Sequence, residues 1–179
     1  MIEALISSKT RIKLLLKFFL NSKTTSYLRG LESEFGESSN AIRLELNRFE
    51  KAGMLKSFSE GNKKMFQANE QHPLFEQIHA ILLKQIGVDK IVDDVVERLG
   101  DVNKVFLVGD LAKGKDSKVI DLLFVGELDK GYLVKLIDKV EKLISRKVKY
   151  LIYSLVEFEK EIAEADFYKK SILIWNKDQ

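Results

Sequence analysis

The sequence predicts an α+β chain in two folded parts. Three helices and a β-hairpin occupy residues 1–72, and a small mixed β-sheet covered by helices occupies 101–179, with a helical connector over 73–100 between them. Three observations predict this. Helix-period apolar patterns with cap and stop residues recur three times before Gly53, and two short apolar runs then flank Gly61. The one proline of the chain follows His72, and a residue before proline avoids the helical region while Pro73 suits a helix's first turn. Beyond Asp101, runs of strand length alternate with helical patterns, as in a sheet covered by helices.

In order, Ser8 caps a helix from about Lys9 to Leu20, with Ile12, Leu15, Leu16 and Phe19 on one side. Ser26 is placed to cap a second helix that contains Leu28, Leu31 and Phe35 and ends near Gly36. Ser38 or Ser39 caps a third, Asn40 to Ala52, closed by Gly53. Met54 to Phe58 and Lys64 to Ala68 read as strands joined by Glu60-Gly61-Asn62. Three helices followed by a hairpin make a winged helix-turn-helix. The connector carries Phe75, Ile78, Ile81, Leu82 and Ile86, breaks near Gly87, and continues through Ile91, Val95 and Leu99 to Gly100. In the last part Val105 to Val108 and Val119 to Val125 are buried strands. Tyr132 to Ser145 is a helix with Leu133, Leu136, Ile137, Val140 and Leu143 inward. Lys147 to Leu155 is a strand, Glu157 to Lys170 a helix, and Ile172 to Trp175 a final strand.

Composition narrows the function. The chain is 45% hydrophobic and 32% charged, as a globular domain requires. It has no cysteine, so disulfide, zinc-thiolate and cysteine-nucleophile chemistry are excluded. The run Leu14 to Leu20 is interrupted by Lys17 and followed by Asn21-Ser22-Lys23, which suits a core helix of a cytoplasmic protein and not a signal peptide. No stretch approaches the ~20 apolar residues of a membrane span. The net charge of +3 is uneven: residues 1–72 hold 12 Lys and Arg against 8 Asp and Glu, or +4, leaving −1 for the remainder. That excess points weakly to nucleic acid.

The third helix carries the sharper signal. At about 100° per residue, Ile42, Leu46 and Phe49 share one face, while Asn40, Arg43, Asn47 and Lys51 share the opposite one, with Leu44 among them. Arg and Asn pair bidentately with guanine and adenine in the major groove, and a leucine can touch a thymine methyl. Ser39, Lys51, Lys63 and Lys64 are placed to hold the phosphate backbone. Residues 7–69, and Ile42 to Leu55 with Ala52-Gly53-Met54-Leu55 above all, resemble ArsR-type winged-helix repressors. That family's metal sensing does not carry over, because the chain lacks cysteine and its two histidines, His72 and His79, lie two helical turns apart.

The segment Gly109-Asp110-Leu111-Ala112-Lys113-Gly114, followed by Val119-Ile120-Asp121, resembles the minimal nucleotidyltransferase family, whose pattern is Gly-Ser-x-Ala-x-Gly, a short loop and then Ser-Asp-x-Asp. Gly109, Ala112, Gly114 and Asp121 match it. Asp110 replaces the phosphate-binding serine and Val119 the first carboxylate. The strand Lys147 to Tyr153, where a third carboxylate is due, has none. Two-metal transfer needs two or three carboxylates on shared magnesium ions, so the resemblance implies the family's fold with a vestigial site at Gly109, Asp110, Gly114 and Asp121. Gly109 to Lys115 also fits G-x-x-x-x-G-K, but Asp116 stands where Ser or Thr should bind magnesium, and a strand follows where a helix is required. The whole order of elements resembles bacterial regulators that fuse an ArsR-like reader to a nucleotidyltransferase-like domain.

The resulting expectation is a DNA-binding transcriptional regulator without cofactor, binding double-stranded DNA as a homodimer, since a winged helix usually needs a second copy for two half-sites. The second domain is expected to be non-catalytic and to serve dimerisation, partner docking or ligand binding. Two alternatives remain: a divergent magnesium-dependent nucleotidyltransferase using Asp110, Asp116 and Asp121, and a module whose winged helix binds protein.

Overall fold

A computed structural model of the chain describes residues 2–95, 99–144, 146–162 and 165–178. It is an α+β protein with two separate sheets and two compact units, Met1–Leu82 and Leu83–Gln179. Residues 73–100, read as a connector, are divided between these units. Among the described residues no helix is long and apolar enough to cross a membrane.

In the first unit a 3-10 turn, Ile2–Ala4, precedes α1 (Lys9–Phe19), β1 (Ser26–Tyr27), α2 (Leu28–Phe35), α3 (Ser39–Lys51), β2 (Leu55–Glu60) and β3 (Lys63–Ala68). The strands form an antiparallel sheet in the order β1-β3-β2. Ser8 caps α1 by accepting from the Arg11 amide, and Ser38 caps α3 by accepting from the Ala41 amide. The sequence left Ser38 and Ser39 open as caps; the geometry selects Ser38. Ser26 does not cap the second helix as expected. It pairs with Phe66 in β1, leaving Tyr27 at the cap position with no side-chain bond. The pairing is between residues far apart in sequence, so a local cap pattern could not show it.

Leu14, Phe18, Phe19, Leu31, Ile42, Leu46, Phe49 and Phe66 form the buried interior of this unit. Helix α4 (Phe75–Ile86) buries Phe75, Leu82 and Ile86, while Ile81 of the expected stripe is exposed. Phe75 packs on Phe19, and His79 stacks on Phe75 with its Nδ1 2.8 Å from the Phe19 carbonyl oxygen.

One buried residue of α3 is charged. Glu45 is 5% exposed and faces α1, where Arg11 donates to it through Nε at 2.9 Å and Nη2 at 3.2 Å, and Arg48 adds a third bond at 3.0 Å. Burial pushes the Glu45 carboxyl up, but the hydrogen bonds and charges of Arg11 and Arg48 outweigh it and hold the group below its ordinary value.

The second unit continues with α5 (Val88–Val95), β4 (Gly100–Val108), α6 (Gly109–Ala112), β5 (Val119–Leu128), α7 (Lys130–Ile144) and β6 (Lys147–Tyr153). A short α8 (Leu155–Glu157), a π-helical turn (Phe158–Ile162), α9 (Ala165–Lys170) and β7 (Ile172–Asn176) complete it. The sheet order is β6-β5-β4-β7, with β5 and β6 parallel and the other pairs antiparallel. Gly87 separates α4 from α5 at φ +89, where a Cβ would come within 2.7 Å of Ile144.

Helix α7 buries Leu133, Leu136, Ile137 and Val140, but Leu143 of the expected stripe is 62% exposed. Of the helix expected over Glu157 to Lys170, Phe158–Ile162 is π-helical and Ala165–Lys170 α-helical, residues 163 and 164 lying outside the described residues; Phe158 and Phe167 both meet Phe106, at 5.4 and 5.1 Å between ring centres. Ser145 and the Val95 side chain, parts of two expected helices, lie outside the described residues.

Glu45 supports a prediction about acid stability. Its folded-state value lies below the ordinary glutamate value of 4.5, so the stability it contributes is present above that value and lost as pH falls through the folded one. Glu45→Gln should cost about 1–3 kcal/mol at neutral pH and lose less than wild type on further acidification. Thermal melts across the acid range check this; parallel acid slopes in the two proteins would refute it.

Candidate nucleic-acid interface

The rotation that buries Ile42, Glu45, Leu46 and Phe49 leaves Arg43 and Asn47 exposed on the other side of α3. They open onto a groove of ≈ 680 Å³ between α3, the start of α2 and the hairpin. Helix α2 contributes Leu28 and Arg29 to it, after Tyr27 of β1. The hairpin contributes Asn62, Lys63, Lys64 and Phe66. Four cations therefore line the groove, and none of its lining residues is acidic. The floor is apolar where the edges of Leu46 and Phe66 show.

The cations are held differently. Arg29 and Arg43 have no side-chain partner among the described residues. The Lys63 ammonium sits 4.4 Å from the centre of the Tyr27 ring. Lys64 is tied to Glu50 of α3 at 2.7 Å, and Ser57 also donates to Glu50. Those bonds from Lys64 and Ser57 hold the Glu50 carboxyl below its ordinary range.

Of the residues expected to touch DNA, the structure brings Arg43, Asn47, Lys63 and Lys64 together in the groove. Ser39 and Asn40 lie on the first turn of α3, Leu44 is 52% exposed along it, and Lys51 is on its last turn; none of these lines the groove. Tyr27, Arg29 and Asn62 line it without having been singled out. Asn62 could have been inferred from its place in the turn beside Lys63. Arg29 could not, since nothing local says which face of α2 meets α3.

In the second unit, a cleft of ≈ 710 Å³ is lined by Val108, Gly109, Asp110, Asp121, Lys149 and Tyr150, among others. Asp121 stands on β5 in register with Val108 of β4 and Lys149 of β6. Gly109 has φ +70, and a Cβ there would come within 2.5 Å of Asp121 Oδ2. Gly114, also at positive φ, is buried and does not line the cleft. Asp116 does not join Asp110 and Asp121 either: it pairs with Arg146 at 3.3 Å and lines a separate pocket with Ser117 and Lys118. Among the described residues no three His, Cys, Asp or Glu gather in a way that could hold a metal ion. His72 accepts from the Leu74 amide, and His79 is occupied with Phe19 and Phe75.

No protein-family profile and no curated protein matches the chain. Two solved structures are similar in part. One, from Sulfolobus solfataricus and provisionally described as a nucleotidyltransferase, is 21% identical with a TM-score of 0.36 and covers 56% of this chain and 85% of its own. The other is TrmBL2, described as an archaeal chromatin protein with a novel mode of DNA binding; it is 16% identical with a TM-score of 0.26 and covers 90% of this chain and 78% of its own.

The contact between Gly109 and Asp121 is testable without any ligand. Gly109→Ala should destabilise the protein by about 1–3 kcal/mol, combining a left-handed conformation with a steric conflict. Asp121→Ala in that background should return the part of the steric cost that comes from the carboxylate. Chemical denaturation of the two single variants and the double variant measures this, and strictly additive effects would contradict the contact.

Proposed function

We propose that the chain is a DNA-binding transcriptional regulator whose first unit is a winged helix-turn-helix. Helix α3 reads the major groove of double-stranded DNA, and the hairpin holds the backbone. The observation that carries this reading is the groove itself: Arg43 and Asn47, side chains able to pair with guanine and adenine edges, are exposed beside three further cations. Arg43 and Asn47 are assigned to bases, and Lys63 to phosphate. Asn40, Leu44, Ser39 and Lys51 extend the same contact along α3 beyond the groove. Lys64 reaches phosphate only by exchanging Glu50 for it. Two copies bind two half-sites.

Selection of bound sequences from random duplexes tests this with wild type and Arg43→Ala in parallel. Wild type should enrich an inverted repeat, and the variant should lose preference at one position of each half-site, worth about 1–3 kcal/mol. Equal enrichment of one motif by both proteins would remove Arg43 from the reading face, and a single unrepeated half-site would remove the dimer.

We propose further that the second unit keeps a nucleotidyltransferase-like frame without catalysis and serves dimerisation or the binding of a protein or small molecule. Three features support this. Val119 stands two residues before Asp121 where a second carboxylate would share its face, Lys149 is in register with Asp121, and Asp116 is engaged with Arg146. Calorimetric titration with magnesium-ATP should give no heat at millimolar ligand. Saturable binding that Asp121→Ala abolishes would restore the enzyme reading.

A further inference from the structure

The corner of the groove where Tyr27, Arg29 and Lys63 meet has structure that base reading does not use. Tyr27 ends β1, Arg29 lies in the first turn of α2, and Lys63 begins β3. Residue 30 is a glycine inside a helix, which costs roughly 0.5–1 kcal/mol relative to alanine. Here a Cβ would meet the Tyr27 ring at 3.0 Å, so the glycine lets the ring lie flat against α2. Lys63 in turn sits over that ring. The ring is thus held between a helix and an ammonium, and Arg29 extends beside it unpartnered among the described residues.

A helix lying in the major groove and a hairpin reaching past it must straddle one strand of the duplex. The trough between them receives that strand's sugar and phosphate, which match an apolar floor with cations at its edge. We propose that this corner is a seat for one phosphodiester of bound DNA: Arg29 and Lys63 share a single phosphate, and the Tyr27 ring, with Phe66 behind it, takes the adjoining deoxyribose. The inference rests on the DNA reading of the groove and adds Tyr27 and Arg29 to it as contact residues. Neither supplies sequence information, because phosphate and sugar are common to every site.

The sharing of one phosphate gives the test its form. Duplex affinity is measured by fluorescence anisotropy across a salt series for wild type, Arg29→Ala, Lys63→Ala and the double variant, with thermal midpoints to show that the exposed substitutions leave the fold intact. Each single variant should weaken binding several-fold on all sequences alike. The double variant should lower the slope of log K against log salt by about one per bound copy, and so by about two for two copies on two half-sites, the loss of one neutralised phosphate in each. A slope lowered by about two per bound copy would mean that Arg29 and Lys63 hold different phosphates, and an unchanged slope that they hold none; either overturns the seat while leaving wild-type binding and the role of Arg43 intact. Absence of DNA binding by wild type would overturn the parent reading, and the seat with it.

Discussion

Everything proposed for the first unit depends on α3 standing at one rotation about its own axis, and the pair between Arg11 and Glu45 does most to fix it. The apolar stripe of Ile42, Leu46 and Phe49 must face the interior, but apolar contact is non-directional and tolerates some roll. A carboxylate 5% exposed does not, because leaving it unpaired in the interior is far costlier than misplacing a methyl group. Arg11 meets it with two donors of its planar fork, which binds both oxygens only at one orientation. With Glu45 pinned to α1, Arg43 and Asn47 have one direction left to them, outward into the groove. Glu50, one turn further along, repeats the device towards the hairpin by gathering Ser57 and Lys64. One carboxylate thus fixes the buried face of α3 and the other, on the side of Arg43 and Asn47, ties the helix to the hairpin.

The sequence made the elements legible and left their meetings obscure. Ser8, the spacing of Leu15 and Phe19, Gly36 and the turn at Gly61 are local signals read from a few consecutive residues, and the helices and hairpin stand close to where those signals put them. That Arg43, Asn47, Lys63 and Lys64 stand together could be read because helix angle and turn position are local too. Ser26 does not cap α2 because a strand edge 40 residues away takes it, and Arg29 was not singled out because only α2 lying beside α3 brings it into the groove. Glu45 carries no local sign of burial; its place in the interior shows only with Arg11 standing opposite it.

The second unit shows the same limit in another form. Gly109 and Asp121 were recognisable as residues of a known pattern, yet the physical reason for the glycine, a carboxylate oxygen where its Cβ would be, appears only when β4 and β5 are paired. The segment after Ser154 is similar. Phe158 and Phe167 are nine residues apart, on opposite sides of a regular α-helix, yet both meet Phe106, and the chain turns from α-helical to π-helical at Phe158. Packing overrides propensity where the two conflict.

The two grooves are close in size, ≈ 680 and ≈ 710 Å³, and differ in charge. The first has four cations and no acid among its lining residues, and a polyanion entering it releases counterions with each phosphate it brings. The second sets two carboxylates against one lysine. A triphosphate there would need metal ions to offset the carboxylates. Gly109, for its part, admits the Asp121 side chain to the end of β4, so packing is a sufficient reason for that glycine, while the four cations stand on α2, α3 and the hairpin.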